Sequence, residues 1–196
     1  MQRVGLSLLV LVASTLVYTT ANPTAMDFIR ASCKTTLHAS LCVRCLSSYA
    51  GSIKGSDHLL AKAAVSISLN NTKSASVFIS KLGRFPGVKP REYQAVKDCL
   101  STMRNSLSSL SQSVQELEKM AQGQDFEWHT SNAETWVGSA LTNQNMCVRG
   151  FDDASMNGHV KDAITRRMVY VSQVTSNALA LVNRFAVRHR KGIHRP

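Results

Sequence analysis

The chain has 196 residues, 44% of them hydrophobic, enough for one domain with a substantial core. Its formal charge is +11, which draws it toward polyanions such as acidic polysaccharide or anionic membrane. No segment is long and apolar enough for a comfortable membrane span, so no membrane-spanning helix is expected.

The first predicted element is a targeting segment. After Arg3 an apolar run extends from Val4 to Val17, followed by Thr19-Thr20-Ala21, small residues of the kind signal peptidase reads. Residues 1–21 are therefore expected to be a signal peptide cleaved after about Ala21, and the mature chain to be secreted. Secretion permits disulfides. Five cysteines are present, Cys33, Cys42, Cys45, Cys99 and Cys147, so at least one is unpaired within a monomer. Asn70-Asn71-Thr72 is the usable glycosylation sequon, with Asn70 the acceptor, because the proline in Asn22-Pro23-Thr24 blocks that site.

Residues 22–55 read as a helical hairpin. Met26, Phe28 and Ile29 suit one side of a short helix, and Leu37, Leu41, Val43, Leu46 and Tyr49 a second, ending in the Gly51 to Gly55 break. A Cys33–Cys42 bridge would clip the two pieces together, worth about 2.5–3 kcal/mol in the chain-entropy model. The competing pair, Cys42-x-x-Cys45, has the spacing of a redox motif, but no strand pattern lies beside it.

Four long helical stripes follow over residues 56–186. Ser56 or Asp57 is placed to cap the first, which runs to about Lys81 with Leu60, Ala64, Ile67, Asn71, Ser74 and Phe78 on one side. Gly83, Pro86, Gly87 and Pro90 make the clearest break, and Pro90 suits a first helical turn. From Arg91 to Ala121 a heptad seam runs through Tyr93, Val96, Leu100, Met103, Leu107, Leu110, Val114, Leu117 and Ala121. Ser106, Ser108, Ser109, Ser111 and Ser113 fall between these positions and read as its wet face. Gly123 is expected to end this helix.

The third stripe, about Ser131 to Phe151, carries Ala133, Val137, Ala140, Gln144, Cys147 and Phe151, widened by Trp136 and Leu141. The fourth carries Val160, Ile164, Val171, Val174, Ala178, Leu181 and Phe185, with Met168 replacing Arg167 in the core while Arg167 snorkels outward. Short connections between four such stripes predict an all-α, up-down-up-down four-helix bundle.

In that topology Cys99, near the start of the second long helix, lies beside Cys147, near the end of the third. A bridge there closes about fifty residues and is worth roughly 4 kcal/mol. The topology thus favours Cys33–Cys42 and Cys99–Cys147, leaving Cys45 as a free thiol. Residues 187–196 form a basic end with Arg188, Arg190, Lys191, Arg195, His189 and His194, Arg184 lying just before it. It reads either as a solvated tail or as a weak electrostatic contact for acidic polysaccharide.

Nothing in the sequence is assembled for catalysis, cofactor binding or metal ligation. No histidine stands at helical spacing from another His or Cys in a zinc-binding pattern, and no phosphate loop or nucleophile elbow is present. The serines of the second long helix have no base beside them. Trp128 and His129 read as an aromatic cover for the bundle end. These features point to a binding protein without a nucleic-acid partner.

The mature chain resembles the plant invertase and pectin methylesterase inhibitor family. The resemblance rests on Ile29-x3-Cys33-x8-Cys42, on Ala95-x2-Asp98-Cys99, and on the segment from Trp136 to Cys147, Trp-Val-Gly-Ser-Ala-Leu-Thr-Asn-Gln-x2-Cys. The run Thr175-Ser176-Asn177-Ala178-Leu179-Ala180-Leu181 completes it. It implies a four-helix bundle after a helical hairpin, bridged Cys33–Cys42 and Cys99–Cys147, with Cys45 outside the pattern. Invertase inhibitors of this family often carry Pro-Lys-Phe between the second and third bundle helices; here Gly123-Gln124-Asp125-Phe126 keeps only the Phe.

The Trp136 and Thr175 segments look like the pectin methylesterase branch. The resemblance therefore implies a non-enzymatic, secreted inhibitor of the apoplast that blocks the pectin-binding cleft of pectin methylesterase about one to one. Inhibition of an acid invertase is the alternative. A secreted four-helix signalling ligand is disfavoured by the short breaks at 83–90 and 151–158. The implied contact surface is the polar face of the long helices, with Gln112, Gln115 and Glu116 on the second, and Asn132, Glu134 and Thr135 on the third.

Overall fold

A computed structural model describes residues 23–120 and 125–193. The expected signal peptide, residues 1–21, lies outside the described residues, as do Ala121, Gly123, Gln124, His194 and Arg195. Helix α1 spans Pro23–Cys33 and α2 spans Ala39–Leu46, followed by a 3-10 turn, Ser47–Tyr49, and the short α3, Ala50–Ile53. Four long helices follow: α4 Asp57–Leu82, α5 Pro90–Met120, α6 Phe126–Arg149 and α7 His159–Ile193. Helix α4 packs on α5 and α7, and α6 packs on α5 and α7. This is an antiparallel four-helix bundle after short N-terminal helices.

Local chemistry sets the helix starts. The Ser56 hydroxyl accepts the Leu59 amide at 3.3 Å and caps α4. Pro90 opens α5, and the Glu92 carboxylate reaches back to accept the Lys89 amide at 2.9 Å. Asp125 caps α6 by accepting the Trp128 amide at 3.2 Å. Helix α6 thus begins at Phe126 rather than near Ser131, which brings Trp128 and His129 into its first turn.

The hairpin is tied down twice. A Cys33–Cys42 disulfide joins α1 to α2. The Asn177 side chain on α7 accepts the His38 amide at 3.2 Å and donates to the His38 carbonyl at 3.0 Å. Both polar groups of the backbone just before α2 are thereby held against the bundle.

The stripe of α6 is buried as expected, with Ala133, Val137, Ala140, Gln144, Cys147 and the following Phe151 all at the core. On α7, Met168 is buried, while Arg167 turns out to donate to the Ser74 hydroxyl at 2.7 Å. The stripes of α4 and α5 differ from expectation. On α4 the buried line moves from Leu60 and Ala64 to Ser68, Thr72, Ala75 and Ile79, leaving Ser74 and Phe78 outside. On α5 it runs through Val96, Cys99, Met103, Ser106, Leu110, Ser113 and Leu117, with Tyr93 exposed and Leu100, Leu107 and Val114 on the shoulder.

The reason lies between α5 and α6. Ser106 donates to the Ala140 carbonyl at 3.2 Å and Ser113 to the Ala133 carbonyl at 3.1 Å, while Ser109 meets Ser139 at 3.3 Å. Small side chains facing alanines let the two backbones come close, and the hydroxyls satisfy themselves on the facing helix. A Cys99–Cys147 disulfide, with Cα atoms 4.2 Å apart, closes the same seam.

A polar layer divides the core into two apolar halves. In it the Ser68 and Thr175 hydroxyls lie 2.6 Å apart. Gln144 donates to the hydroxyls of Thr72 and Ser106, each at 3.1 Å. All four long helices contribute.

Candidate partner face on α5 and α6

The six residues expected at a partner contact converge on the outer side of α5 and the first half of α6, but not all as free groups. Gln115 and Thr135 are exposed, and Gln112, Asn132 and Glu134 are half-buried. Thr135 donates its hydroxyl to the Ser131 carbonyl at 2.8 Å. Gln112 makes two long contacts to Ser108 at 3.4 Å.

Glu116 differs from expectation. It is 8% exposed, and its carboxylate is already satisfied. One oxygen lies 2.6 Å from His129 Nδ1 and 3.3 Å from the Asn132 amide nitrogen; the other lies 2.8 Å from Lys119 Nζ. Burial raises the cost of ionising this carboxyl, but the donors from His129, Lys119 and Asn132 outweigh it and hold its pKa down to about 2. It is a latch between α5 and α6 at the end where residues 121–124 connect them.

Burial pushes the Glu134 carboxyl above its ordinary value; Arg190 pulls it down and Glu127 pushes it further up. Trp128 is 64% exposed. The cover of this bundle end is supplied by other rings: Phe126 packs edge-on to Phe185 at 5.2 Å and stacks on His189 at 3.6 Å, and His58 lies 5.4 Å from Phe185. Trp128 shares a helix face with Ser131 and Thr135, at i, i+3 and i+7. Sequence reasoning missed its exposure because the start of α6 was placed too late.

The other predicted sites fall elsewhere. Cys45 is outside both disulfides, with its sulfur 3.9 Å from the Tyr170 hydroxyl. Asn70 is exposed on α4, whereas Thr72 of the same sequon is buried. The basic end is not a separate tail through residue 193, since α7 continues across it. Arg184 and Arg188 bracket Asp57 at 3.2 and 3.0 Å, and Arg190 lies 3.5 Å from Glu127. Among the described residues no three His, Cys, Asp or Glu side chains come together as a metal site.

The fold and these surfaces define a class: a disulfide-braced helical module whose interior is filled by packing and whose outer faces carry the free polar groups. A family model described as plant invertase/pectin methylesterase inhibitor matches residues 27–181, and the chain belongs to that family. The description of the family is that of an inhibitor rather than an enzyme.

Among its relatives, pectinesterase inhibitor 9 of Arabidopsis thaliana is 47% identical over 165 residues, covering 82% of this chain and 81% of that protein. A 21 kDa protein of Daucus carota is 41% identical over 168 residues, covering 85% and 87%. The crystal structure of a mutant form of a pectin methylesterase inhibitor from Arabidopsis superposes with a TM-score of 0.62 at 18% identity, covering 81% of this chain and 95% of that one. That likeness concerns the fold.

Proposed function

We propose that the protein is a secreted inhibitor of pectin methylesterase that binds the enzyme non-covalently, about one to one, and denies pectin access to its binding cleft. The observation that carries this reading is the outer α5–α6 face. Exposed Gln115, Trp128 and Thr135 and half-buried Gln112, Asn132 and Glu134 stand on two helices fixed by the Cys99–Cys147 disulfide and the Glu116 latch. A rigid face with an exposed aromatic and uncharged amides loses little side-chain and loop entropy when it docks. Specific burial of this kind covers about 1,600 Å² in total. Two disulfides among the described residues suit an oxidising, extracellular setting.

Inhibition of an acid invertase is the less favoured reading. Phe126, the remnant of the Pro-Lys-Phe element, is engaged between Phe185 and His189 and is not free to enter an active site. The test is a paired titration of the mature protein against a plant pectin methylesterase and an acid invertase. The expected result is loss of esterase activity at near one-to-one stoichiometry with invertase untouched; the reverse pattern, or no response from either, overturns the proposal. Burial raises the pKa of Glu134 on this face, so affinity is expected to change as pH falls into the acidic range where it takes up a proton. A flat profile there removes Glu134 from the contact.

A further inference from the structure

The opposite side of the bundle, the α4–α7 seam, carries a different kind of surface. Arg167 reaches across from α7 to α4, where its guanidinium lies 5.9 Å from the Phe78 ring centroid and donates to Ser74. Its Nε is buried with no hydrogen-bond partner among the described residues. One turn further along α7 stands Tyr170, whose hydroxyl pKa is pushed up by burial and the Cys45 thiol, while Arg44 and Arg167 pull the other way. Arg44, exposed on α2, directly precedes Cys45, whose sulfur lies 3.9 Å from that hydroxyl. No ion pair among the described residues includes Arg44, Arg166 or Arg167.

Toward the other end the seam opens into a cavity of about 600 Å³ whose lining includes Phe85, Lys89, His159 and Arg166. Phe85 is 61% exposed there. The one carboxylate in that lining, Glu92, accepts the Lys89 amide. On α7, Arg166 and Tyr170 are four residues apart, as are Ala163 of the cavity and Arg167, so cavity and arginine cluster share one helix face. From His159 to Tyr170 the track is about 16 Å long at 1.5 Å per residue.

We infer that this α4–α7 track is a binding site for an acidic polysaccharide, in which guanidinium groups take successive carboxylates and the Phe78 and Phe85 rings lie against sugar faces. Arginines without a carboxylate partner, one carrying an unsatisfied buried N–H, are complementary to planar carboxylates, which they bind as a fork. Unlike Arg184, Arg188 and Arg190, which already face Asp57 or Glu127, they spend no charge on the protein itself. Each ring has a cation beside it, Arg167 by Phe78 and Lys89 and Arg166 in the cavity with Phe85, which favours a chain of charged sugars over a membrane surface. Apart from Glu92 at the start of α5, the site lies across the bundle from the outer α5–α6 face, so it stands or falls independently of the inhibitory face.

The experiment is calorimetric titration of the mature protein with a de-esterified oligogalacturonate and, in parallel, its fully methyl-esterified counterpart. Two variants of equal charge are compared, R44Q/R167Q and R188Q/R190Q, with thermal melts verifying that each folds. Losing the exposed Arg44 and the half-buried Arg167 guanidinium contacts is expected to weaken binding of the acid about fivefold in R44Q/R167Q. R188Q/R190Q stays within about twofold, the esterified oligomer does not bind, and esterase inhibition by R44Q/R167Q equals that of the wild type. Phe85→Ser, which leaves the charge alone and lies at an exposed position, is expected to weaken binding too. Equal losses in the two double variants would reduce the effect to net charge and overturn the site. So would equal affinity for the esterified oligomer, or preferential binding to phosphatidylserine vesicles.

Discussion

Replacing Glu116 by Gln tests whether the latch between α5 and α6 is ionic. The folded-state pKa of Glu116, about 2, lies below the ordinary 4.5, so the native state holds this proton less tightly than the unfolded chain. The resulting stability is therefore fully present above pH 4.5 and is lost as pH falls through about 2. A difference of 2.5 units at 1.36 kcal/mol each gives about 3 kcal/mol at pH 6, falling below about 1 kcal/mol at pH 2.5. Urea unfolding of the wild type and of Glu116→Gln across that range reads the gap directly. The gap should narrow by at least half on acidification. A gap that is constant with pH would mean that the cluster acts by packing and neutral hydrogen bonds, and the ionic account would fail.

Three further outcomes are expected. Replacing Cys99 and Cys147 together by Ser frees a loop with a sequence separation of 48 and should cost about 4 kcal/mol, seen as a lower urea midpoint. Gln144→Leu should be neutral or stabilising by about 1 kcal/mol, because the Gln144 carbonyl oxygen has no partner while Thr72 and Ser106 keep their own bonds to Ser68 and Ala140. A loss above about 2 kcal/mol would show that the amide holds the four helices in register. Asn177→Ala removes both clasps on His38 and should cost about 1–3 kcal/mol, with faster hydrogen exchange at the His38 amide than at amides of α6.

What was legible in the sequence depended on how ordinary each helix contact is. The stripe of α6 could be read because every facing position is small or apolar except Gln144, and the connection lengths then dictated an antiparallel bundle. The two cysteine pairings followed from that topology. Helix α5 misled because its buried line contains Ser106 and Ser113, which pattern reading assigns to water. Their burial is favourable only because carbonyls of α6 stand opposite, a relation between residues 20 to 34 positions apart that no local period encodes. Phe78 misled in the opposite sense. Its ring lies at the surface under Arg167, while Ala75 and Ile79 take the core. The Glu116–His129 pair was invisible for the same reason as the serines, since neither residue type is expected inside without its partner.

Many of the residues that carry the family resemblance are scaffold residues, and this bears on how targets are distinguished. Within the Trp136 to Cys147 segment, Ala140 lets α5 approach, Gln144 joins the polar layer and Cys147 forms the bridge. Within the Thr175 to Leu181 segment, Thr175 pairs with Ser68, Asn177 clasps the hairpin, and Ala178 and Leu181 are buried. Such positions are constrained by the bundle itself, so they report the fold and are silent on the enzyme bound. On the proposed reading, selection of an esterase over an invertase resides in side chains that the bundle leaves exposed, among them Gln115, Trp128 and Thr135. Substitutions there are then expected to change partner contacts with small effects on folding, whereas changes at Gln144 or Asn177 act first on the scaffold. A bundle built this way can change targets by altering its surface while its core, bridges and polar layer stay as they are.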